Sequence, residues 1–311
     1  MTDTAVQEPS FQEQPFAGAF LPDEGADDSA RVRSRAELAR LDLLGAAFDL
    51  DTHGYTVLDP AQLGAGDLAM RLREALLDIA GQADGIRPEL SGTGARQGWT
   101  AIGRGRFLHH VLFRNRVFEE ALMTPRALAL ITYLLGENCV LSSMNAMLKT
   151  AGPDNLELHT DQVGTPAPFP AYSQVANATW ALTDYSRADG SISFVPGSHR
   201  WCRHPTRAEA IDLSMAVPVE AKAGSLIVWH GNTWHGAFAR TTPGLRVNLM
   251  TYFCRWYLLP QAIYRQTVPD EILARNPERF SVLMGRRNPY SGACLDGPLP
   301  SMSLGQTSQY A

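Results

Sequence analysis

Apolar residues recur along this chain with two different periods, and the change from one to the other divides it. Over 36–48, leucines at 38, 41 and 44 fall on one helical stripe, and over 66–81 Leu68, Leu72, Ala75, Leu76 and Ile79 repeat at spacings of three and four. A third helical stretch runs over 117–135 and is interrupted at Pro125, a residue suited to the first turn of a new helix. Beyond residue 140 the period shortens towards two. The runs 140–148, 180–184, 191–199, 224–229 and 245–253 are short and rich in β-branched and aromatic residues. They are separated by turn residues such as Asp189–Gly190, Pro196–Gly197 and Gly224, and they read as strands. In the last of them Arg246, Asn248 and Met250 share one face, because side chains alternate along a strand. Helices first and strands afterwards predict a mainly β fold with flanking helices, its core a double-stranded β-helix, the cupin-like jelly-roll. The pattern shows no internal repeat.

Composition sets the limits of that domain. The chain has 311 residues and 45% apolar content, enough to bury one large core or two small ones. Residues 1–30 hold seven acidic residues and no basic one, so they predict a disordered acidic leader. A single domain is expected over 31–285, followed by a Gly-, Pro- and Ser-rich, loop-like tail over 286–311. Removing the leader's seven charges from the total of −5 leaves the remainder at +2, which gives no sign of a nucleic-acid surface. No apolar run reaches the roughly 18–20 residues needed to span a bilayer, and the first thirty residues carry neither a basic n-region nor an apolar h-region. The expectation is a cytoplasmic protein with no membrane partner. The cysteines at 139, 202, 254 and 294 are far apart and read as free thiols rather than a zinc or disulfide framework.

Chemistry enters with four residues. His159 and Asp161 are two apart, His235 lies 76 residues beyond His159, and Arg246 lies 11 beyond His235. In a strand, residues i and i+2 point the same way, so His159 and Asp161 can offer an imidazole and a carboxylate to one metal ion, with His235 supplying the third ligand from a neighbouring strand. Two histidines and a carboxylate on one face of an octahedron leave three positions open, the arrangement of non-haem Fe(II) oxygenases. A 2-keto acid fills two of these and leaves one for dioxygen. Its far carboxylate then needs a planar two-point partner, for which Arg246 is the candidate. A lone buried histidine is more often structural than a ligand. One His-x-Asp/Glu is expected by chance in a chain of this composition, and this is the only one here.

The flanking sequence resembles the phytanoyl-CoA dioxygenase family of Fe(II)- and 2-oxoglutarate-dependent oxygenases. The similarity is carried by LHTDQ at 158–162, TDYSRADGSISFVPGSHR at 183–200 and GSLIVWHGNTWHGAFARTTPGLRVNLMTYF at 224–253. It extends to FDLDTHGYTVLD at 48–59 and to the segment 257–285. The resemblance implies that His159, Asp161 and His235 bind iron and act in catalysis, and that Arg246 holds the distal carboxylate of 2-oxoglutarate. It further implies that Asn145 contacts this co-substrate and that Trp180 walls its pocket. Some family members carry a hydroxyl residue two after the distal histidine; here that residue is Ala237, with Thr251 or Thr179 as substitutes. His230 and His199 read as supporting or structural. Because Asp161 retains the carboxylate that related halogenases lack, hydroxylation is implied rather than halogenation.

The implied activity is hydroxylation of an aliphatic C–H of a small, lipophilic molecule, consuming dioxygen and 2-oxoglutarate and releasing succinate and carbon dioxide. Trp99, Phe107, Phe169 and Tyr172 are the candidate substrate-lining aromatics, and packing of the barrel rim is the alternative for each. The basic cluster Arg104, Arg106, Arg114 and Arg116 reads as a solvated face, with an anionic substrate such as a CoA thioester as the alternative. Two other readings stand beside this one. A jelly-roll without redox chemistry would bind metal but consume no 2-oxoglutarate, and an oxygenase of the same kind could act on a protein. Oligomeric state is not legible.

Overall fold

A computed structural model describes residues 24–91 and 105–286; Trp99, Arg104 and Cys294 lie outside them. Among the described residues ten strands follow one another: β1 (Tyr55–Leu58), β2 (Gly105–Leu108), β3 (Val140–Lys149), β4 (Leu156–His159), β5 (Val175–Ala181), β6 (Ile192–Phe194), β7 (Val217–Pro218), β8 (Leu226–His230), β9 (His235–Ala237) and β10 (Arg246–Cys254). They form two antiparallel sheets, one ordered β1-β8-β5-β10-β3-β2 and one ordered β4-β9-β6-β7. Facing sheets of this kind, joined by long crossings, are the jelly-roll arrangement.

Nearly every residue of β3, β5, β8 and β10 is buried, because the large sheet is covered on both sides. Strand parity divides its side chains. Leu148, Ala178, Trp180, Val228, Val247 and Leu249 belong to the main core, which includes apolar residues of helices Leu44–His53, Leu68–Asp84 and Pro125–Leu135. The alternate residues turn towards the small sheet, where Ile192, Phe194, Ile227 and Trp229 make a second core. The site is built on this inner face.

The helical layer differs from the periodicity in one place. The stripe over 36–48 is divided between a helix Glu24–Arg40 and a second, Leu44–His53. Asp42 takes a left-handed conformation (φ 56°) between them, which a short polar side chain tolerates. The first of these helices also takes in residues 24–30 of the expected leader, with Ala30 buried. The stretch 117–135 divides as its proline predicts, into Val117–Leu122 and Pro125–Leu135 with Pro125 in the first turn. The strand expected at 180–184 begins earlier, at Val175. Among the described residues no helix is long and apolar enough to cross a membrane.

Candidate metal centre

β4 and β9 pair so that His159 lies directly opposite His235, and their rings stand 4.3 Å apart between centroids. Asp161 falls just beyond the end of β4 rather than within it, its amide donating to the Gly231 carbonyl at 3.0 Å. The alternation expected of a strand is therefore replaced by a turn, yet the convergence survives. One ligand atom from each of His159, Asp161 and His235 lies within 4.8 Å of the others. Gly236 makes the close pairing possible, since a Cβ there would sit 2.3 Å from the Leu156 carbonyl oxygen.

Hydrogen bonds decide which atoms face the centre. Nδ1 of His159 lies 2.9 Å from the Glu157 carbonyl, and Nδ1 of His235 lies 2.9 Å from the Thr233 carbonyl. A carbonyl only accepts, so each Nδ1 carries the hydrogen and each Nε2 keeps its lone pair. Asp161 is similarly divided. Its Oδ2 accepts from Asn177 Nδ2 at 2.7 Å and from Trp229 Nε1 at 2.9 Å. Its Oδ1 stands 3.6 Å from His235 Nε2. Two imidazole lone pairs and one carboxylate oxygen thus converge without competing partners, a donor set that fits Fe(II) with open positions left over.

Electrostatics keep that set ready. Burial pushes the His235 imidazole down to about 4, against the attraction of Asp161, so its ring is neutral at physiological pH. Burial, with Asp161 adding to it, raises the Tyr252 phenol, which stays protonated and donates to the Asp161 carbonyl at 2.9 Å.

The triad opens into a cavity of about 450 Å³. Phe107, Met147, Leu156, Ile192 and Met250 give it apolar walls, while Arg246, Lys149 and Asn248 are polar lining. Arg246 is 4% exposed and donates to the Gly190 carbonyl, and its Nε has no partner. Its guanidinium carbon lies 5.1 Å from the centre of the Tyr185 ring. No carboxylate among the described residues pairs with it.

The remaining expectations divide. Asn145 lines the cavity, with Oδ1 accepting from the His110 amide at 3.0 Å and Nδ2 donating to Ser143 at 3.1 Å. Trp180 does not line it. It is paired with Leu249 and Leu226 and faces the helices with them; the aromatic wall is Trp229, on the inward parity of β8. Thr251 is also turned outward, its hydroxyl donating to the Ala178 carbonyl. Thr179 is on the inward register and its hydroxyl has no partner. Phe107 is in the cavity, Phe169 packs on His204, and Tyr172 lies under Arg255 away from the triad. Arg106 is paired with Asp84 at 3.0 Å. Asn177 and Trp229 were not singled out by the sequence, and their signal was strand parity on β5 and β8.

Comparisons with known proteins agree with this architecture. A family model described as Phytanoyl-CoA dioxygenase (PhyH) matches residues 51–248. The chain is 30% identical over 158 residues to Dioxygenase af480 of Aspergillus fumigatus, half of each chain. It is 27% identical over 172 residues to the uncharacterized protein Rv1501 of Mycobacterium tuberculosis, 54% of this chain and 62% of that one. It therefore covers 50% and 62% of the length of these curated relatives. Among solved structures, HygX from Streptomyces hygroscopicus, with nickel and 2-oxoglutarate bound, superposes with a TM-score of 0.54 at 18% identity over 70% of this chain and 88% of that one. SnoN, a non-haem alpha-ketoglutarate-dependent epimerase from nogalamycin biosynthesis, gives 0.51 at 23% identity over 72% and 87%. These likenesses establish the fold.

Proposed function

The chain belongs to the phytanoyl-CoA dioxygenase family, and from that membership we propose that it is an Fe(II)- and 2-oxoglutarate-dependent dioxygenase hydroxylating an aliphatic C–H bond of a small, lipophilic molecule. The observation that carries the reading is a single cavity in which three uncommitted ligand atoms converge and a buried guanidinium lacks a carboxylate. Iron and 2-oxoglutarate, when bound, supply the oxidising chemistry, with dioxygen consumed and succinate and carbon dioxide released.

The chain's own residues bind, orient and exclude. His159 and His235 present neutral Nε2 atoms whose tautomers are fixed by backbone carbonyls, so His235 need lose no proton to bind metal at neutral pH. Asp161 contributes one negative charge through one oxygen, the other being held by Asn177 and Trp229. That restraint favours single-point ligation and leaves room for a chelating keto acid. Arg246 would take the far carboxylate with its unpaired face, a charge-assisted contact strengthened by burial. The apolar walls suit a lipophilic substrate, and they keep water from the reacting carbon.

The test is an anaerobic titration of the purified protein with Fe(II) and then 2-oxoglutarate, followed by oxygen exposure and succinate measurement. Tight binding of both and slow succinate release without substrate are expected. Binding of metal with no consumption of 2-oxoglutarate under any substrate mixture would overturn the reading in favour of a non-catalytic module. A mass-spectrometric screen for labelled oxygen incorporated into acyl, terpenoid and peptide candidates then selects the substrate class.

A further inference from the structure

A second cation lies in the wall of the same cavity. Lys149 ends β3, and the antiparallel register sets it directly across from Arg246 on β10, so both side chains leave the sheet on its inner face. Lys149 is 4% exposed, and its ammonium donates to the Phe238 carbonyl at 2.7 Å. Its other cross-strand neighbour is Gly105 on β2, which offers no counter-charge.

The charged groups around it are Arg246 from β10, Arg240 from the loop after β9, and Asp154 from the loop before β4. Of the nearby acids, Asp189 is paired with Arg240 at 3.3 Å, and Asp84 is taken by Arg106 at 3.0 Å. Burial, then Arg246 and Arg240, draw the ammonium down to about 7, with Asp154 opposing. Two buried basic groups side by side, neither in an ion pair with a described carboxylate, cost stability that an apolar pair of similar volume would not. The cost is offset when an anion enters between them.

We propose that Lys149 is a second binding residue for the far carboxylate of 2-oxoglutarate, holding it together with Arg246. The inference rests on the co-substrate reading above. Lys149 is partly neutral in the free protein near pH 7 and largely neutral at pH 8. The arriving carboxylate favours the ammonium, so binding draws a proton from solvent. Co-substrate affinity then falls as pH rises above about 7, because the proton must be recruited from a scarcer supply.

The experiment uses full-length protein loaded with Ni(II) and calorimetric titration with 2-oxoglutarate at pH 8 in buffers of different ionisation enthalpy. Wild type should take up most of one proton. Lys149→Met should raise Kd about ten- to a hundredfold and lose the uptake. Lys149→Arg should bind within a few-fold of wild type, also without uptake. 2-Oxobutyrate, which keeps the chelating end and lacks the far carboxylate, should be indifferent to Lys149→Met. Unchanged affinity in a folded Lys149→Met protein, or equal proton uptake in Lys149→Arg, would sink the proposal. If Lys149→Met fails to fold, the uptake comparison between wild type and Lys149→Arg decides alone. Wild type that binds no 2-oxoglutarate refutes the parent reading; wild type that binds it through Arg246 yet ignores Lys149 refutes this inference only.

Discussion

Two pairs of histidines brought together from distant parts of the chain resemble each other until their hydrogen bonds are compared. The rings of His159 and His235 are 4.3 Å apart, those of His199 and His230 are 5.4 Å apart. Each pair lines a cavity, and the cavity beside His199 and His230 is the larger, about 580 Å³ against 450 Å³. Burial pushes His235 down to about 4, His230 to about 3, and His199 below its usual value. The pairs differ in what remains uncommitted. His230 accepts from the Asn232 amide at Nδ1, 3.1 Å away, so that nitrogen is already committed. His199 leaves Nδ1 unpaired, and among the described residues no carboxylate oxygen converges on it with a second histidine. Cavity size, ring proximity and depressed basicity therefore do not mark a metal centre. What sets the proposed metal centre apart is free lone pairs converging with a carboxylate.

The widest separation between the two pairs should appear in metal binding. His235→Ala or Asp161→Ala removes one of the three proposed ligands, and metal content by mass spectrometry together with succinate formation should fall to background. His230→Leu should keep full metal loading. Metal loss in His230→Leu equal to that in His235→Ala would erase the distinction.

Stability should respond in the opposite sense. His230→Leu orphans the Asn232 amide, at roughly 1–3 kcal/mol for a group left buried and unpaired. Acid sharpens the comparison. A histidine whose folded value is depressed to about 3 stays neutral where the unfolded chain, near the ordinary imidazole value of 6.5, binds a proton. Its stabilising contribution is complete above that unfolded value and is lost as pH falls towards the folded one. The slope is about 1.4 kcal/mol per pH unit for one proton. Urea melts of the metal-free protein between pH 6.5 and 4 should be steeper in pH for wild type than for His230→Leu. Parallel slopes would mean that His230 does not titrate differently in the two states.

A smaller effect concerns the groups that hold Asp161. Asn177→Ala and Trp229→Phe each remove one donor from Oδ2 and should weaken metal binding about 10- to 100-fold. Co(II) absorption bands should shift as the carboxylate gains freedom to chelate through both oxygens. Unshifted spectra and unchanged affinity would reduce the two residues to packing.

How much of this could be read beforehand follows from the same parity argument. That His159, Asp161 and His235 come together and that Arg246 lines the same cavity was legible because unlike residue types in a fixed order require little knowledge of where strands begin. Trp180 was misplaced because its face depends on register. The strand starts at Val175 and is paired so that Asn177 and Thr179 turn inward while Trp180 turns to the helices. A one-residue difference in parity exchanges the faces, and so Trp180 is turned away from the cavity, which Trp229 of β8 lines. Asn177 was invisible for a related reason: its partner Asp161 is 16 residues away, across a loop whose path the local pattern does not encode. Lys149 lies one residue past the run 140–148 and was not singled out; its pairing with Arg246 brings it to the cavity.

The finest distinction lies within the second pair. His199 packs against Gly54, whose positive φ of 84° and missing side chain admit the ring; a Cβ there would lie 2.6 Å from His199 Nδ1 and 2.5 Å from Thr233 Oγ1. His199→Phe keeps a ring in the same place and gives up only a polar edge whose Nδ1 has no partner, a change expected to stay within about 1 kcal/mol. Gly54→Ala strikes the same contact with no freedom to relax at that φ, and should cost more. Since neither residue contributes to the triad, both variants should retain wild-type metal affinity, and thermal melts should rank them wild type, His199→Phe, Gly54→Ala. A His199→Phe protein that melts like wild type but loses metal would transfer His199 from the structural pair to the functional one.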